Sequence, residues 1–492
     1  MAIAVLLLYG VFLSFILLFS ITQLQLTFTY VRAKRKVAQA APTLDPLRPI
    51  PLVTVQLPLY NERYVVERLI DQVALLDWPR DRLEIQVLDD SSDETIALCA
   101  ARVAHWRAKG LDVVHVQRPD RSGYKAGALA YGTERAKGEF IAVFDADFMP
   151  PHDLLQLVLP WFQDEQVGLV QTRWGHLNRG NNLLTRLQAF GLDAHFSVEQ
   201  SGRNALGCFI NFNGTAGVWR KRTIADAGGW QSDTLTEDLD LSYRAQLRGW
   251  KFQYLEKVVS PAELPAVMNA LKAQQYRWNK GAAECVVKNL PKVLRDRDLS
   301  LFTKMHAIFH LMNSTIFISI IATVLLSVPI LMIKQDHPEY RVLFDLAVLF
   351  TFGLLVLIGF YAVAHKNYKQ GWRGAIHFFT LFPLFLGISM GLSLHNAIAV
   401  IEGYIGRRTP FVRTPKVGAQ NDAAKWTRST YLKSAITPLL LVEFAIAAYA
   451  VFGIVYAVKV SDYGLVPYHL TVAFGFGAVA WYSLVHSLRT AG

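Results

Sequence analysis

The distribution of apolar residues constrains this 492-residue chain more than any other feature. Ala2–Tyr30 is almost uncharged, and the chain beyond Trp278 contains five further apolar stretches of membrane-spanning length. Those stretches are Met305–Ile333, Val342–His365, Ile376–Ala399, Ser434–Val458 and Leu465–Leu488. The segment from Val53 to about Pro265 contains no such stretch. The pattern predicts a globular domain that lies between an N-terminal anchor and a C-terminal membrane region.

Basic residues beside the apolar stretches predict the orientation of the chain. Arg32, Lys34, Arg35 and Lys36 follow the first stretch, whereas a signal peptide carries its charges before the apolar run. The positive-inside rule therefore predicts an uncleaved anchor, an outside N-terminus and a cytoplasmic domain after it. We divide the chain into an anchor (1–30), a proline-rich linker (31–50), a globular domain (51–265), amphipathic interface helices (266–300) and membrane helices (301–492).

Basic residues also lie on both sides of the middle apolar stretch, so both of its ends are predicted inside. We therefore expect 376–406 to be an interfacial or re-entrant segment, broken at Pro383, with His395 and Glu402 in polar surroundings. About five spans then remain, and the alternative is a sixth span that departs from the charge rule. Gly475-Phe476-Gly477 lies inside an apolar stretch and indicates helix packing, not a dinucleotide-binding turn.

Short β-branched runs alternate with helical stretches in the globular domain. The expected strands are Val53–Leu57, Ile85–Leu88, Val113–Gln117 and Phe140–Phe144, and the expected helices include Tyr64–Ala74 and Glu94–Ala108. Such alternation predicts an α/β domain with a mostly parallel sheet. Ligands of these sheets bind at the carboxyl ends of the strands, which is where the acidic motifs of this chain lie.

Charge and cysteine content exclude several classes of protein. The formal net charge is +11, and the basic residues flank apolar segments instead of forming long runs. This arrangement favours anionic lipid or a phosphorylated substrate over nucleic acid. Cys99, Cys208 and Cys285 are an odd number without C-x-x-C spacing, which predicts neither a zinc site nor a disulfide framework.

Acidic residues end two of the predicted strands. Asp145 and Asp147 follow the fourth strand, and side chains at i and i+2 of an extended segment point to the same side. Two carboxylates there can bind Mg²⁺ or Mn²⁺, which often bridge protein oxygens and substrate phosphates. Asp89 and Asp90 follow the second strand, where they either accept an N–H group of a nucleobase or form an N-capping cluster.

Two further segments suit a nucleotide. Pro58, Tyr60 and Glu62 follow the first strand, where Tyr60 either stacks on a base or packs in the core. Arg118–Leu129 carries three cations, Lys125 among them, with two glycines. Lysine and arginine make charge-assisted hydrogen bonds to a diphosphate, and a solvated basic loop explains the same residues.

Thr236, Glu237 and Asp238 place two carboxylates in the first turn of a predicted helix, with Thr236 as the N-cap. These acids either complement the helix dipole or carry out acid–base chemistry. Further along, Gln274, Arg277 and Trp278 lie at i, i+3 and i+4 and share one face of a predicted helix. That face offers an amide, a cation and an indole plane, although Arg277 and Trp278 would also suit a simple cation–π pair. In the segment 213–215, Gly214 permits close approach of the backbone to a ligand.

The order of these motifs resembles that of the processive membrane β-glycosyltransferases of family 2. The stretches VQTRW, FNGTAGVWR, AGGW, TEDLDL, GWKF, ELP and QQYRW, in residues 170–278, are most similar to plant cellulose-synthase-like A and C proteins and their bacterial relatives. The similarity covers 51–278 well and the membrane region by layout. It implies a Rossmann-like GT-A fold, a nucleotide-sugar donor and inversion at the anomeric carbon.

The resemblance also implies roles for individual residues. Asp238 would be the general base, with Glu237 and Thr236 in the same motif, and Asp145 and Asp147 would hold the cation. Implied donor-binding residues are Pro58, Tyr60, Glu62, Asp89, Asp90, Lys125, Asp145, Gln274 and Arg277, and implied acceptor-binding residues are Asn213, Gly214, Thr215 and Trp278.

The stretch Phe411-Val412-Arg413-Thr414-Pro415-Lys416 resembles the gating-loop pattern F-x-V-T-x-K of these synthases. The similarity implies a gating segment at 407–420 that includes Phe411, Arg413, Thr414 and Lys416. Arg413 stands in place of the valine, and Pro415 stiffens the turn, so the motion of this gate stays open.

Three functions fit the sequence. The first is a synthase that extends and secretes a β-glucan or β-mannan from UDP-glucose or GDP-mannose. The second is a non-processive enzyme that adds one sugar to a lipid acceptor, and the third is a nucleotide-regulated transporter, which would leave Asp238 without a purpose. We expect an integral protein of the bacterial inner membrane, or of the Golgi or plasma membrane of a eukaryote, that contacts membrane lipid and no nucleic acid.

Overall fold

The computed structural model describes residues 1–35, 42–43, 49–409, 416–418 and 438–491. A seven-stranded sheet with strand order β3-β2-β1-β4-β6-β5-β7 organises the globular domain. Its strands are β1 (Val53–Leu59), β2 (Leu83–Asp89), β3 (Asp112–Val116), β4 (Phe140–Val143), β5 (Val167–His176), β6 (Gly217–Arg220) and β7 (Lys251–Ala262). Strand β6 is antiparallel to both of its neighbours, and the other pairs are parallel. The predicted mostly parallel α/β sheet is confirmed.

Helices cover both faces of this sheet. The first helix of the chain, α1 (Ala2–Arg35), precedes the domain. The helices of the domain are α2 (Val66–Ala74), α3 (Thr95–Ala108), α4 (Tyr124–Arg135), α5 (Leu154–Val158), α6 (Leu183–Ala194), α7 (Gln200–Ala205), α8 (Lys221–Asp226) and α9 (Glu237–Gln246). Strand β4 illustrates that both faces of the sheet are buried in hydrophobic cores. Phe140 and Ala142 belong to one hydrophobic core, whereas Ile141 and Val143 belong to the core on the opposite face. A strand buried on both sides needs a continuous apolar run, which is what the sequence has there.

The membrane region follows a long helix, α10 (Met268–Arg295). Its helices are α11 (Leu301–Leu311), α12 (Ile316–Asp336), α13 (Arg341–Leu346), α14 (Thr351–His365), α15 (Gly371–Gly391), α16 (Ser393–Tyr404), α17 (Leu439–Lys459) and α18 (Val466–Ala491). In the described part of the chain, five helical segments are long and apolar enough to cross a membrane, namely Ala2–Arg35, Leu301–Asp336, Gly371–Gly391, Leu439–Lys459 and Val466–Leu488.

The segment expected to be interfacial is divided into two helices. α15 continues through Pro383 and ends at Gly391, so the expected break at Pro383 is wrong. A proline removes one backbone hydrogen bond, but membrane helices tolerate it where neighbouring helices support the backbone. α16 then begins at Ser393 and runs for 12 residues. The orientation of these helices across a membrane stays a prediction.

Helices α15 and α18 approach each other closely at Gly387 and Gly391 of α15 and Gly475 of α18. A Cβ atom at Gly475 would lie 2.0 Å from the carbonyl oxygen of Gly387, and one at Gly391 would lie 2.2 Å from the carbonyl oxygen of Gly475. A Cβ at Gly477, two residues further along, would meet nothing within 4 Å. Gly475 is therefore a packing residue, as the sequence indicated, because only glycine lets the two backbones approach this closely.

Gly475→Ala should separate α15 from α18 and destabilise the protein by about 1–3 kcal/mol, the usual cost of overpacking. Gly477→Ala is the matched control, and it should be neutral or slightly stabilising because alanine favours helix. The thermal unfolding of both variants in detergent, followed by fluorescence-detected size exclusion, measures the difference. Equal melting temperatures for the two variants would show that the close approach is not needed.

Candidate active site

Most of the predicted site residues line one cleft at the carboxyl ends of β1 and β4. The cleft has about 1380 Å³ of empty volume, counting its open mouth. Predicted residues on its walls are Pro58, Tyr60, Glu62, Asp90, Lys125, Asp145, Asp147, Asn213, Gly214, Thr236, Glu237, Asp238, Gln274, Arg277, Trp278 and Lys416. Residues that are more than three hundred positions apart in the chain therefore converge on one surface.

Two predicted residues lie behind that surface. Asp89 is 2% exposed, and its Oδ2 atom lies 2.8 Å from His115 Nε2. Burial favours the neutral acid, but the hydrogen bonds from His115 and Ser91 outweigh it and lower the pKa of Asp89. Thr215 is fully buried, and its hydroxyl accepts a hydrogen bond from the backbone N–H of Asp145 at 2.9 Å. Both side chains support the cleft wall from behind.

Of the adjacent acidic pair, Asp90 is the residue that faces the cleft. Arg118 donates to both of its carboxylate oxygens, with Nε at 2.9 Å from Oδ1 and Nη2 at 2.5 Å from Oδ2. The guanidinium of Arg121 lies 3.3 Å from the centre of the Tyr60 ring, so a cation–π contact covers one face of this ring.

The carboxylates of Asp145 and Asp147 each contact a lysine. Lys125 Nζ lies 2.6 Å from Asp145 Oδ1, and Lys416 Nζ lies 2.5 Å from Asp147 Oδ1. Burial favours neutral Asp145, but Lys125, Lys416 and Arg277 outweigh it and lower the pKa of this carboxyl. Asp145 is therefore held ionised, and each of the two carboxylates is paired with a cation. Asp145 and Asp147 lie in a turn closed by the Phe148 N–H and the Asp145 carbonyl oxygen at 3.0 Å, so the expected extended segment is wrong. Two carboxylates that line one cleft are nevertheless a donor set that suits Mg²⁺ or Mn²⁺.

Lys416 is the described member of the predicted gating residues. Its side chain reaches the cleft from a segment that is described only at 416–418, and its ion pair with Asp147 links that segment to the acidic motif. Phe411, Arg413 and Thr414 lie outside the described residues, so their predicted role stays a prediction.

Asp238 lies in the first turn of α9 and has an unusual electrostatic environment. Burial, and then the neighbouring carboxylate of Glu237, raise the pKa of Asp238 to about 7. Burial likewise raises the pKa of Glu237. Thr236 is the N-cap residue as predicted, but its side chain makes no capping hydrogen bond. An aspartate that titrates near neutral pH can exchange a proton with a substrate hydroxyl.

Gly214 leaves room beside its backbone for the side chains of Asp238 and Lys125. Its φ angle is +79°, and a Cβ atom there would lie 3.0 Å from Asp238 Oδ2 and 3.4 Å from Lys125 Nζ. Lys125 Nζ also donates to the carbonyl oxygen of Gly214 at 2.9 Å. Only glycine combines this backbone conformation with so little space.

The side chains of Gln274, Arg277 and Trp278 lie in the cleft because their helix, α10, packs directly on the segment before α9. A Cβ at Gly281 would lie 2.6 Å from Thr236 Cγ2 and 2.8 Å from Thr236 N, so no side chain fits between the two elements. One turn further on, Glu284 Oε2 accepts from the backbone N–H of Leu235 at 2.7 Å. Lys288 and Asn289 extend the contact to Asp240, with Lys288 Nζ 3.0 Å from Asp240 Oδ2.

Aromatic residues support Trp278. The centroids of the Trp174 and Trp278 rings are 6.4 Å apart, and Trp174 also packs on Phe148 and Phe196 at 5.2 Å and 4.8 Å. The indole of Trp278 is thus packed against an aromatic cluster at the cleft wall.

Cleft residues that were not predicted individually include Arg121, Trp174, His176 and Glu263. Trp174 and Glu263 stand in the VQTRW and ELP stretches, and Arg121 stands in the basic segment before α4, so a local signal existed for these three. The Glu263 carboxylate is fully buried against Arg68, with Oε1 2.8 Å from Arg68 Nη2, and burial raises its pKa. No sequence pattern marked His176.

Comparison with known proteins places the chain in a family. Residues 50–281 match the family described as "Glycosyltransferase like family 2". Glucomannan 4-beta-mannosyltransferase 1 of Oryza sativa subsp. japonica is 35% identical over 391 residues, which cover 78% of this chain and 73% of that protein. The chain belongs to family 2 of the glycosyltransferases. The expectation of a hexose-transferring enzyme of this family is thereby confirmed.

Other relatives have the same name. Glucomannan 4-beta-mannosyltransferase 2 of Arabidopsis thaliana is 36% identical over 380 residues, which cover 76% of this chain and 69% of that protein. "Probable glucomannan 4-beta-mannosyltransferase 6" of Oryza sativa subsp. japonica is 36% identical over 375 residues. That match covers 75% of this chain and 63% of the relative, so the chain spans less than two-thirds of that protein's length.

A solved structure supports the GT-A fold. The mannosyltransferase PcManGT from Pyrobaculum calidifontis, in complex with GDP-Man and Mn²⁺, superposes with a TM-score of 0.51 at 19% sequence identity. The superposition covers 81% of this chain and all of that one. At this identity the likeness concerns the fold alone, and it agrees with the sheet described above.

Proposed function

We propose that this chain is an inverting membrane enzyme that transfers a hexose from a nucleotide sugar onto a growing β-glycan and passes the product across the membrane. Mannose from GDP-mannose is the first donor to consider, because the relatives are named as glucomannan mannosyltransferases. The observation that carries the proposal is the position of Asp238, which shares one cleft with Asp145, Asp147 and Trp278.

Asp145 and Asp147 would hold Mg²⁺ or Mn²⁺, and a bound cation would offset negative charge on the donor diphosphate. Lys125 and Arg277 line the same cleft and would bind the diphosphate oxygens. Gln274 and Tyr60 would complete the donor site. Transfer leaves the nucleoside diphosphate with one more negative charge, which these fixed cations stabilise without rearrangement.

Asp238 would accept the proton of the acceptor hydroxyl as that oxygen attacks the anomeric carbon of the donor. Its raised pKa makes it a stronger base than an ordinary aspartate, because burial and Glu237 disfavour the ionised form. General-base assistance of this kind contributes about 10²–10⁴-fold to a rate. Attack from the face opposite the diphosphate converts an α-linked donor into a β-linked product.

Trp278 would stack under the terminal acceptor sugar, with Asn213 and Gly214 close to the reacting hydroxyl. The described part of the chain contains five helical segments long and apolar enough to cross a membrane, which supports secretion of the product. We place the cleft on the cytoplasmic side, since the charge pattern predicts that orientation. The experiment must distinguish this synthase from two alternatives. One is a transferase that adds a single sugar to a lipid, and the other is a nucleotide-regulated transporter.

The test uses the purified full chain in lipid nanodiscs with Mn²⁺, a β-mannan oligosaccharide acceptor and either GDP-mannose or UDP-glucose. The wild type should release nucleoside diphosphate and yield products that lengthen on a gel and that a β-mannanase or β-glucanase digests. Asp238→Asn should bind the donor with unchanged affinity yet lose transfer by about 10²–10⁴-fold, because the amide cannot accept the proton.

Each result has a clear meaning. Products that stop after one added sugar would support the lipid-type or other single-step transferase and overturn elongation. Donor binding without turnover by the wild type would support the transporter. Transfer at the wild-type rate by Asp238→Asn would remove Asp238 as the base.

The pH dependence of kcat/KM should report the pKa of Asp238 in the free enzyme. The neutral acid predominates below about 7 and cannot accept a proton, so kcat/KM should fall about tenfold for each pH unit below that value. Above it the rate should be constant until another group titrates. Donor affinity measured over the same range is the control, and a flat kcat/KM profile through neutral pH would contradict the assignment.

A further inference from the structure

Two opposite faces of helix α10 make different contacts. Gln274, Trp278 and Gly281 lie on the face that meets the cleft and α9. Lys272, Tyr276 and Lys280 are spaced by four residues, so they form a second line of side chains on the opposite side of the same helix. We call this line the anchoring face.

Each residue of the anchoring face bonds to a different part of the C-terminal region. Lys272 Nζ lies 2.7 Å from Glu443 Oε1 of α17. The hydroxyl of Tyr276 donates to Glu402 Oε2 of α16. Lys280 Nζ donates to the carbonyl oxygen of Arg407 at 2.5 Å and to Thr409 Oγ1 at 2.7 Å.

The first turn of α10 continues this pattern. The backbone N–H of Met268 donates to His486 Nδ1 at 3.0 Å, and Asn269 Nδ2 donates to Ser487 Oγ at 3.0 Å, both in α18. His395 of α16 also lies 3.0 Å from the carbonyl oxygen of Lys272. Polar bonds to α16, α17 and α18 therefore fix α10 along more than three turns.

The pair formed by Lys272 and Glu443 is costly to break. The Glu443 side chain is fully buried in a helix that is apolar enough to span a membrane, and Lys272 is 13% exposed. An ionised residue at such a place needs a partner, because an isolated charge is poorly solvated there. The position of α10 relative to α17 is thus fixed at the point where these two side chains meet.

We propose that Lys272, Tyr276 and Lys280 are positioning residues that set where α10 presents Arg277 and Trp278 to Asp238. The membrane helices then determine the geometry of sugar transfer through one rigid helix. The inference rests on the proposed function, since transfer is its readout. A misplacement of about 1 Å between reacting groups can cost about 10²-fold in rate.

The experiment compares two variants of the anchoring face with two matched controls. Lys272→Met removes the cation that neutralises Glu443, and Tyr276→Phe removes one hydroxyl and keeps the ring. Lys334→Met is the first control, because Lys334 Nζ pairs with Asp462 Oδ2 at 2.6 Å in the same region without contacting α10. Tyr449→Phe is the second, because its hydroxyl donates to the carbonyl oxygen of Leu325 at 2.6 Å.

Transfer, donor hydrolysis, acceptor KM and melting temperature are measured for the full chain in nanodiscs, per folded molecule. Lys272→Met should lower the ratio of transfer to hydrolysis by about 10²-fold and Tyr276→Phe by about tenfold, with a raised acceptor KM. Donor hydrolysis should fall much less than transfer, because Lys125, Asp145 and Asp147 of the donor site do not lie on α10, whereas the acceptor platform Trp278 does. Both controls should keep the wild-type ratio even if their melting temperatures fall.

A wild-type ratio in Lys272→Met and Tyr276→Phe would overturn the inference, as would an equal loss in the controls. If Lys272→Met does not fold, Tyr276→Phe decides, since it leaves every charge paired. Absence of transfer by the wild type itself would instead refute the proposed function, so the two failures are distinguishable.

Discussion

The contact between α10 and the segment Leu235–Asp240 determines whether this protein has an active site. Gly281 allows the backbone of α10 to lie directly on Thr236, with no side chain between them. Rigid packing of this kind transmits position from one element to the other. Asp238 stands on one side of the contact and Trp278 on the other, so their separation is fixed by backbone packing and not by flexible side chains.

The charges that surround Asp145 and Asp238 in the cleft shift the pKa values of these two aspartates in opposite directions. Asp145 is held ionised because Lys125, Lys416 and Arg277 outweigh the effect of burial. Asp238 is equally buried but has Glu237 as its neighbour, so its pKa rises to about 7. The first environment favours a permanent anion that attracts a cation, and the second favours a group that gains and loses a proton. One residue type thus has two different acid–base properties in the same cleft.

Much of this arrangement could be predicted from sequence because its signals are local. Strand alternation marked the sheet, and the acidic pairs stood at strand ends, where the topology brings them together. The features that the sequence did not predict correctly depend on tertiary contacts. Asp89 is directed away from the cleft by His115, a neighbour on the adjacent strand. Likewise, α15 continues through Pro383, and no local pattern marked His176 as a cleft residue.

The transfer rate of Gly281→Ala, per folded molecule, tests the central claim most directly. The added methyl would lie 2.6 Å from Thr236 Cγ2, so α10 must move away from α9 even though alanine favours helix. We predict that transfer falls by about 10²-fold while the helical content persists. Donor binding should fall less than transfer, because Lys125, Asp145 and Asp147 do not lie on α10. Transfer at the wild-type rate would contradict the account, because the cleft would then not depend on this contact.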